Sequence, residues 1–178
     1  MHTAGLDNYT RSLMKTLTLV RHAKSSWKDP ALADHDRPLN KRGKRDAPRM
    51  GKRLAQASIC PDLIITSTAV RARTTAETIA SEIGYPTAHI LMDEGLYLAG
   101  ASGVLELIRG LGDANNHVML FGHNPDITNL VNLLTDDHIE NVPTCGIVHI
   151  RFHTTTWAKV GTVPAELISF DYPKRVDD

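Results

Sequence analysis

The sequence predicts an α/β fold: three layers, α/β/α, around a mostly parallel central sheet. Three observations carry that expectation. Short apolar runs rich in β-branched residues recur at Thr16–Val20, Asp62–Thr66, His89–Met92 and Val118–Phe121, as strands buried on both faces require. Helical segments of about 10–17 residues alternate with these runs, which is the rhythm of parallel strands joined by crossovers. Two of the runs end on Arg21-His22 and Gly122-His123, and ligands in such sheets bind beyond the C-terminal strand edge.

Taken in order, Met1 to Leu13 is polar and aperiodic. It is expected to be a loose arm over residues 1–13 preceding a single domain over 14–178, with Met14 as an alternative start. The first strand leads into a polar loop from Ala23 to Pro38, 16 residues long, and loops of that length are often functional. Asn40 can cap a helix whose apolar stripe is Ala47, Met50, Gly51, Leu54 and Ala55. Pro48 is expected to kink or restart that helix. Its other face carries Lys41, Arg42, Lys44, Arg45, Arg49, Lys52 and Arg53 and reads as a solvated surface rather than a binding patch.

The second strand is followed by Ser67 and a helix with Ala69, Ala72, Ala76, Ile79, Ala80 and Ile83 on one side, stopped by Gly84 and Pro86. After the third strand, Gly103 to Leu111 is expected to be helical. The fourth strand leads through Pro125, which suits a first helical turn, to a helix with Ile127, Leu130, Val131 and Leu134 inward. Ile147–Phe152 and Glu166–Phe170 follow without an intervening helix, so they are expected to pair antiparallel at a sheet edge.

Lys plus Arg and Asp plus Glu balance at 20 each over 178 residues. No nucleic-acid or anionic-membrane partner is therefore expected. Cys60 and Cys145 lie far apart, which fits a reducing, cytoplasmic setting better than a disulfide framework. No apolar run reaches the ~18 residues of a membrane span. The nine histidines show no ligand spacing, so neither a metal nor another cofactor is expected. Trp27 and Trp157 read as packing residues.

If the strands are parallel, Arg21-His22, Ser67 with Arg71, and His123 all meet at one sheet edge. Arginine offers a planar fork of donors matched to phosphate. A neutral imidazole is a competent nucleophile, and a second can donate a proton to an oxyanion. Separately, Arg71 could be a surface helix arginine and His123 a turn residue. Their joint placement favours a tetrahedral oxyanion pocket.

At this point the sequence resembles the histidine phosphatase superfamily, with its phosphoglycerate mutase-like fold. Leu19-Val20-Arg21-His22-Ala23 resembles the RHG/RHA motif, and Ser67 to Ala72 with Thr75-Ala76 resembles SxxxRAxxTA. Arg37-Pro38-Leu39 with Gly43 resembles PLTxxG, and Gly122-His123 the late GH motif. The resemblance implies that His22 becomes phosphorylated, that Arg21 and Arg71 bind phosphate, and that His123 is a further pocket histidine. Lys24 and Arg37 are weaker candidates for substrate binding. The resemblance implies no metal.

One departure narrows the class. Mutases and many phosphoester phosphatases of the superfamily place an acidic proton donor after the third strand. Here that segment is Asp93-Glu94-Gly95-Leu96-Tyr97-Leu98, with Leu98 at the expected donor position and Glu94 an uncertain substitute. A phosphoramidate needs less protonation of its leaving group than an alkyl ester does. The chain therefore resembles the compact SixA-type phosphohistidine phosphatases. The expected activity is a metal-independent phosphatase acting on protein phosphohistidine or another phosphoramidate. A small-molecule phosphomonoesterase, using Glu94, Asp29, Asp34 or Asp36 as acid, is one alternative. A catalytically silent phospho-binding domain is another.

Overall fold

The computed structural model describes residues 14–175; the arm expected over residues 1–13 lies outside them. Six strands form one sheet: β1 (Lys15–Arg21), β2 (Leu63–Ser67), β3 (Leu91–Asp93), β4 (His117–Gly122), β5 (Ile147–Phe152) and β6 (Ala165–Asp171). Four α-helices accompany them: α1 (Lys41–Gln56), α2 (Val70–Glu82), α3 (Gly100–Arg109) and α4 (Asp126–Leu134). The strand order is β3-β2-β4-β1-β5-β6. β1, β2, β3 and β4 run parallel, whereas β5 and β6 add antiparallel at one edge, as the helix-free spacing of the last two runs predicted. The architecture is the expected α/β one, with a mostly parallel sheet.

Alternation along the central strands divides the core in two. Leu17 and Leu19 of β1 and Val118 and Leu120 of β4 face α3 and α4. Val20 of β1 and Met119 and Phe121 of β4 face α1 and α2. Both sheet faces are thus covered, which is why these strands read as continuous apolar runs. No helix among the described residues is long and apolar enough to cross a membrane.

Two local expectations are corrected, and at Pro48 one of two alternatives is removed. Helix α1 runs from Lys41 to Gln56 with Pro48 inside it and does not restart there. A proline costs one helical hydrogen bond and some steric strain, and the buried stripe of Ala47, Met50 and Leu54 holds the turns on either side. His89 belongs to a short 3-10 turn, Thr87–His89, and β3 begins only at Leu91. Trp157 is buried as expected, its indole donating to the Asn115 carbonyl at 2.8 Å. Trp27, by contrast, is 71% exposed. Its ring lies 3.5 Å from the guanidinium carbon of Arg37, a cation–π contact rather than core packing.

The start of α1 is fitted closely against the chain leaving β1. Asn40 caps the helix, accepting from the Gly43 N–H at 2.9 Å, and its own N–H donates to the Lys24 carbonyl at 2.9 Å. A Cβ on Gly43 would run into that same carbonyl oxygen. Gly43→Ala should therefore lower stability by about 1–3 kcal/mol, the usual cost of overpacking. It should also lower turnover, because Lys24 lies two residues past His22. Denaturant unfolding alongside initial rates checks this, and a variant matching the parent in both would refute the fit.

Candidate active site

Strand register builds the site. Arg21 of β1 pairs with Gly122 of β4, so the following residues, His22 and His123, leave adjacent strands at the same level. Their ring centroids are 5.1 Å apart. Thr66 of β2 pairs with Phe121 on the other side of β4, which brings Ser67 beside His123. Arg71, at the start of α2, reaches back over the strand ends as its spacing from Ser67 predicted. All four expected residues come together.

The hydrogen bonds orient each group. His22 Nδ1 lies 2.7 Å from the Ala23 carbonyl oxygen, which can only accept, so Nδ1 carries the proton. Nε2 is left with its lone pair and receives the Arg71 Nε–H at 3.3 Å. The Ser67 hydroxyl accepts from the Ala69 N–H at 3.3 Å and meets His123 Nε2 at 2.8 Å. If its proton goes to that nitrogen, the other one, Nδ1, bears the imidazole hydrogen. His123 Nδ1 and Arg21 Nε are both buried without a hydrogen-bond partner. Leaving such groups unpaired costs about 1–3 kcal/mol each, and a bound oxyanion would satisfy a donor at each position. The remainder of Arg21 is anchored, with NH1 donating to the Val142 carbonyl at 2.9 Å.

Two further residues complete the pocket: Asp34, which the sequence offered only among alternative acids, and Tyr97, which it did not single out. Asp34 sits in a 3-10 turn of the long loop, Asp34–Asp36. Its carboxylate accepts from Arg71 NH2 at 3.0 Å and from Arg37 Nε and NH2 at 3.1 and 2.9 Å. Its carbonyl accepts from Arg71 NH1 at 2.6 Å. Tyr97 donates its hydroxyl to the same carboxylate at 2.8 Å and packs edge-on against His123, with ring centroids 5.5 Å apart. Arg37 is thus turned towards Asp34 and Ser25 (2.6 Å), reaching the pocket through the acid. The Lys24 side chain makes no hydrogen bond or ion pair among the described residues. Leu98 is 77% exposed with a φ of 61°, so it is Tyr97, one residue earlier, that enters the pocket. Glu94 is exposed in the 3-10 turn Glu94–Leu96.

A family model described as the histidine phosphatase superfamily (branch 1) matches residues 17–96. An uncharacterized protein of Mycobacterium tuberculosis is 36% identical over 166 residues, spanning 87% of this chain and 100% of its own. The chain belongs to the histidine phosphatase superfamily. Among solved structures it resembles a SixA protein of Agrobacterium tumefaciens, with a TM-score of 0.77 and 27% identity over 89% of this chain and 98% of that one. It shares its fold with a protein histidine phosphatase SixA complexed with tungstate, with a TM-score of 0.72 and 17% identity over 89% and 97%. The chain is thus a histidine phosphatase of SixA type.

Electrostatics separate the roles within this histidine phosphatase. Burial, reinforced by the positive charge of Arg71 and Arg21, pushes the His22 imidazole down to about 3. Burial and Arg71 push His123 down to about 4. Burial tends to raise Asp34, but hydrogen bonds from Tyr97, Arg37 and Arg71 outweigh it and hold the carboxyl at about 2. Tyr97 is raised, by burial and by its bond to Asp34. At neutral pH the pocket therefore holds two neutral imidazoles, an ionised carboxylate and a phenol that gives up its proton reluctantly.

A pH dependence of stability follows. His149, bonded through Nδ1 to the Thr18 hydroxyl at 2.7 Å, is also lowered by burial, to about 4. Unfolded histidines titrate near 6.5. Between about 6.5 and 4 the unfolded chain binds protons that the folded chain refuses, so stability falls as pH falls through that window. Urea unfolding should show a loss on the order of 2–3 kcal/mol for each buried imidazole between pH 7 and 4.5, since one unit is worth about 1.4 kcal/mol. An unchanged midpoint would contradict the burial of neutral imidazoles.

Proposed function

We propose that this histidine phosphatase works through a phosphohistidine intermediate on His22, acting on protein phosphohistidine or another phosphoramidate. The observation that carries the reading is the uncharged His22, its Nε2 lone pair beside Arg71 and two buried, unpartnered nitrogens nearby. In the first step His22 Nε2 bonds to phosphorus as the P–N bond of the substrate breaks and the freed nitrogen takes a proton from water. In the second, water attacks the phosphoenzyme, releasing inorganic phosphate and restoring His22. Arg21 and Arg71 hold the non-bridging oxygens, and His123 Nδ1–H donates to a third. The tungstate held by the SixA relative is a tetrahedral oxyanion of the required geometry, and SixA proteins bear the name phosphohistidine phosphatase.

The proposed chemistry is metal-independent. Among the described residues no group of three or more His, Cys, Asp or Glu is placed to hold a metal ion, and the arginines bring the charge a metal would supply. One observation favours a second reading, that of a small-molecule phosphomonoesterase: the Asp34 carboxylate stands in the pocket. A hydrolysis panel separates the two. A phosphohistidine protein and phosphoramidate should be turned over well ahead of alkyl phosphates, with or without a chelator. Faster turnover of alkyl phosphates would install the phosphomonoesterase reading, and activity lost to a chelator and restored by one divalent ion would overturn metal independence.

A further inference from the structure

Beside the catalytic pocket lies a second concavity that the proposed chemistry does not use. It is a cleft of about 430 Å³ between the outer face of α1, the Pro143-Thr144 segment and the chain after β6. Four cations line it, Arg42, Arg45, Arg49 and Lys174, against one carboxylate, Asp46. Asp46 is buried and engages Arg45 at 3.0 Å and Arg42 at 3.8 Å, which fixes those two heads. Arg49 and Lys174 have no ion-pair partner among the described residues. In a chain whose charges balance at 20 and 20, this is a local excess of positive charge, not part of a general basic surface.

One short segment, residues 142–145, both walls the cleft and backs the catalytic residues. Arg42 NH2 donates to the Thr144 hydroxyl at 3.1 Å. One residue further on, the Cys145 N–H donates to the Arg21 and His22 carbonyls at 3.0 and 3.1 Å. Two residues before Thr144, the Val142 carbonyl holds the Arg21 guanidinium. A substrate protein whose phosphoryl group sits on His22 would therefore run its neighbouring segment over Thr144 into the cleft.

We infer that the cleft docks an acidic peptide segment of the phosphoprotein substrate, an assignment that rests on the proposed function. Positions 42, 45 and 49 lie on one helix face and span about 10 Å at 1.5 Å per residue. An extended chain covers that span in about three residues, at about 3.3 Å each, so carboxylates near its two ends reach both ends of the basic row. A compact phosphate cluster would engage only part of it. Pro143, Tyr172 and Pro173 give the cleft an apolar wall that a peptide's apolar side chains can cover. A nucleic acid would ask for stacking platforms and a longer basic track.

The test uses two readouts on the whole chain. Binding of a fluorescent glutamate-rich peptide is followed by anisotropy, and kinetics are measured with a phosphohistidine protein and with phosphoramidate, which is too small to reach the cleft. In the double variant Arg49→Glu/Lys174→Glu, peptide affinity should fall about tenfold or more. KM for the protein substrate should rise by a similar factor with kcat retained, and phosphoramidate turnover should be unchanged. Because rim charges act through screened attraction, raising salt should weaken peptide binding to the parent. Equal peptide binding by parent and variant overturns the assignment, as does tighter binding of tripolyphosphate or single-stranded DNA than of the peptide. If the peptide binds through the cleft but the phosphohistidine protein is not hydrolysed, the cleft stands and the proposed substrate class fails. If hydrolysis proceeds and the variant changes nothing, the substrate class stands and the cleft fails.

Discussion

His22→Ala should lower kcat/KM by at least ~10⁴-fold and abolish any covalent phosphoenzyme, because loss of a nucleophile removes the pathway and not one contact on it. The geometry explains why no neighbour should substitute. His123 has Nε2 committed to Ser67, and with the Ser67 hydroxyl donating there its Nδ1 bears the hydrogen and offers no lone pair. Rapid quench of the parent with labelled substrate should trap a phosphoryl group that survives base and is lost in acid. The same experiment on His22→Ala should trap none. Near-parental turnover in that variant would refute the intermediate.

Dependence on the leaving group should be the second large effect. General-acid help is worth about 10²–10⁴-fold, and an effective acid has a pKa near the working pH. None of these three pocket groups is of that kind: Asp34 is held at about 2, Tyr97 is raised and His123 is lowered to about 4. Alkyl phosphates should therefore lag phosphoramidates by roughly that range of 10²–10⁴, with aryl esters between. Rate against leaving-group pKa should slope steeply for esters. Glu94→Gln should change phosphohistidine hydrolysis little, as its exposed position implies. Asp34→Asn is the discriminating variant. If alkyl phosphates are hydrolysed quickly and with no slope, and that activity disappears in Asp34→Asn, then Asp34 is a donor and the phosphomonoesterase reading holds.

The residues most legible in the sequence are those whose position follows from a strand. Arg21, His22 and His123 end apolar runs, and Arg71 stands one helical turn beyond another, so periodicity alone brings them to one edge. β5 needed no correction because its six residues, Ile147–Phe152, are nearly all buried. β3 was placed two residues early because it is a three-residue strand at the sheet edge whose Leu91 and Met92 are 53% and 59% exposed. An apolar run there carries no burial signal. Tyr97 was missed as a pocket residue, and Asp34 was offered only as one of several alternative acids, for a related reason. Both are delivered by 3-10 turns and extended connections, where neither the twofold nor the 3.6-residue period applies. The one local signal was Asp34 standing three residues before Arg37, and it identifies an ion pair without saying that Arg71 shares it. Leu98 was placed at the donor position by motif spacing. The left-handed backbone at Leu98 turns the segment so that the preceding ring faces inward.

Asp34 has one further consequence. Its carboxylate and carbonyl accept from two of the five N–H donors of Arg71, so in the proposed mechanism an arriving dianion competes with a counter-ion the protein carries itself. Affinity then measures the difference between the two anions. Free phosphate, with nothing else to hold it, competes at a disadvantage, whereas a phosphoryl group tethered to a larger partner brings additional contacts to the contest. The same carboxylate is at hand to reclaim the arginine after hydrolysis, which favours departure of the product over its lingering as an inhibitor.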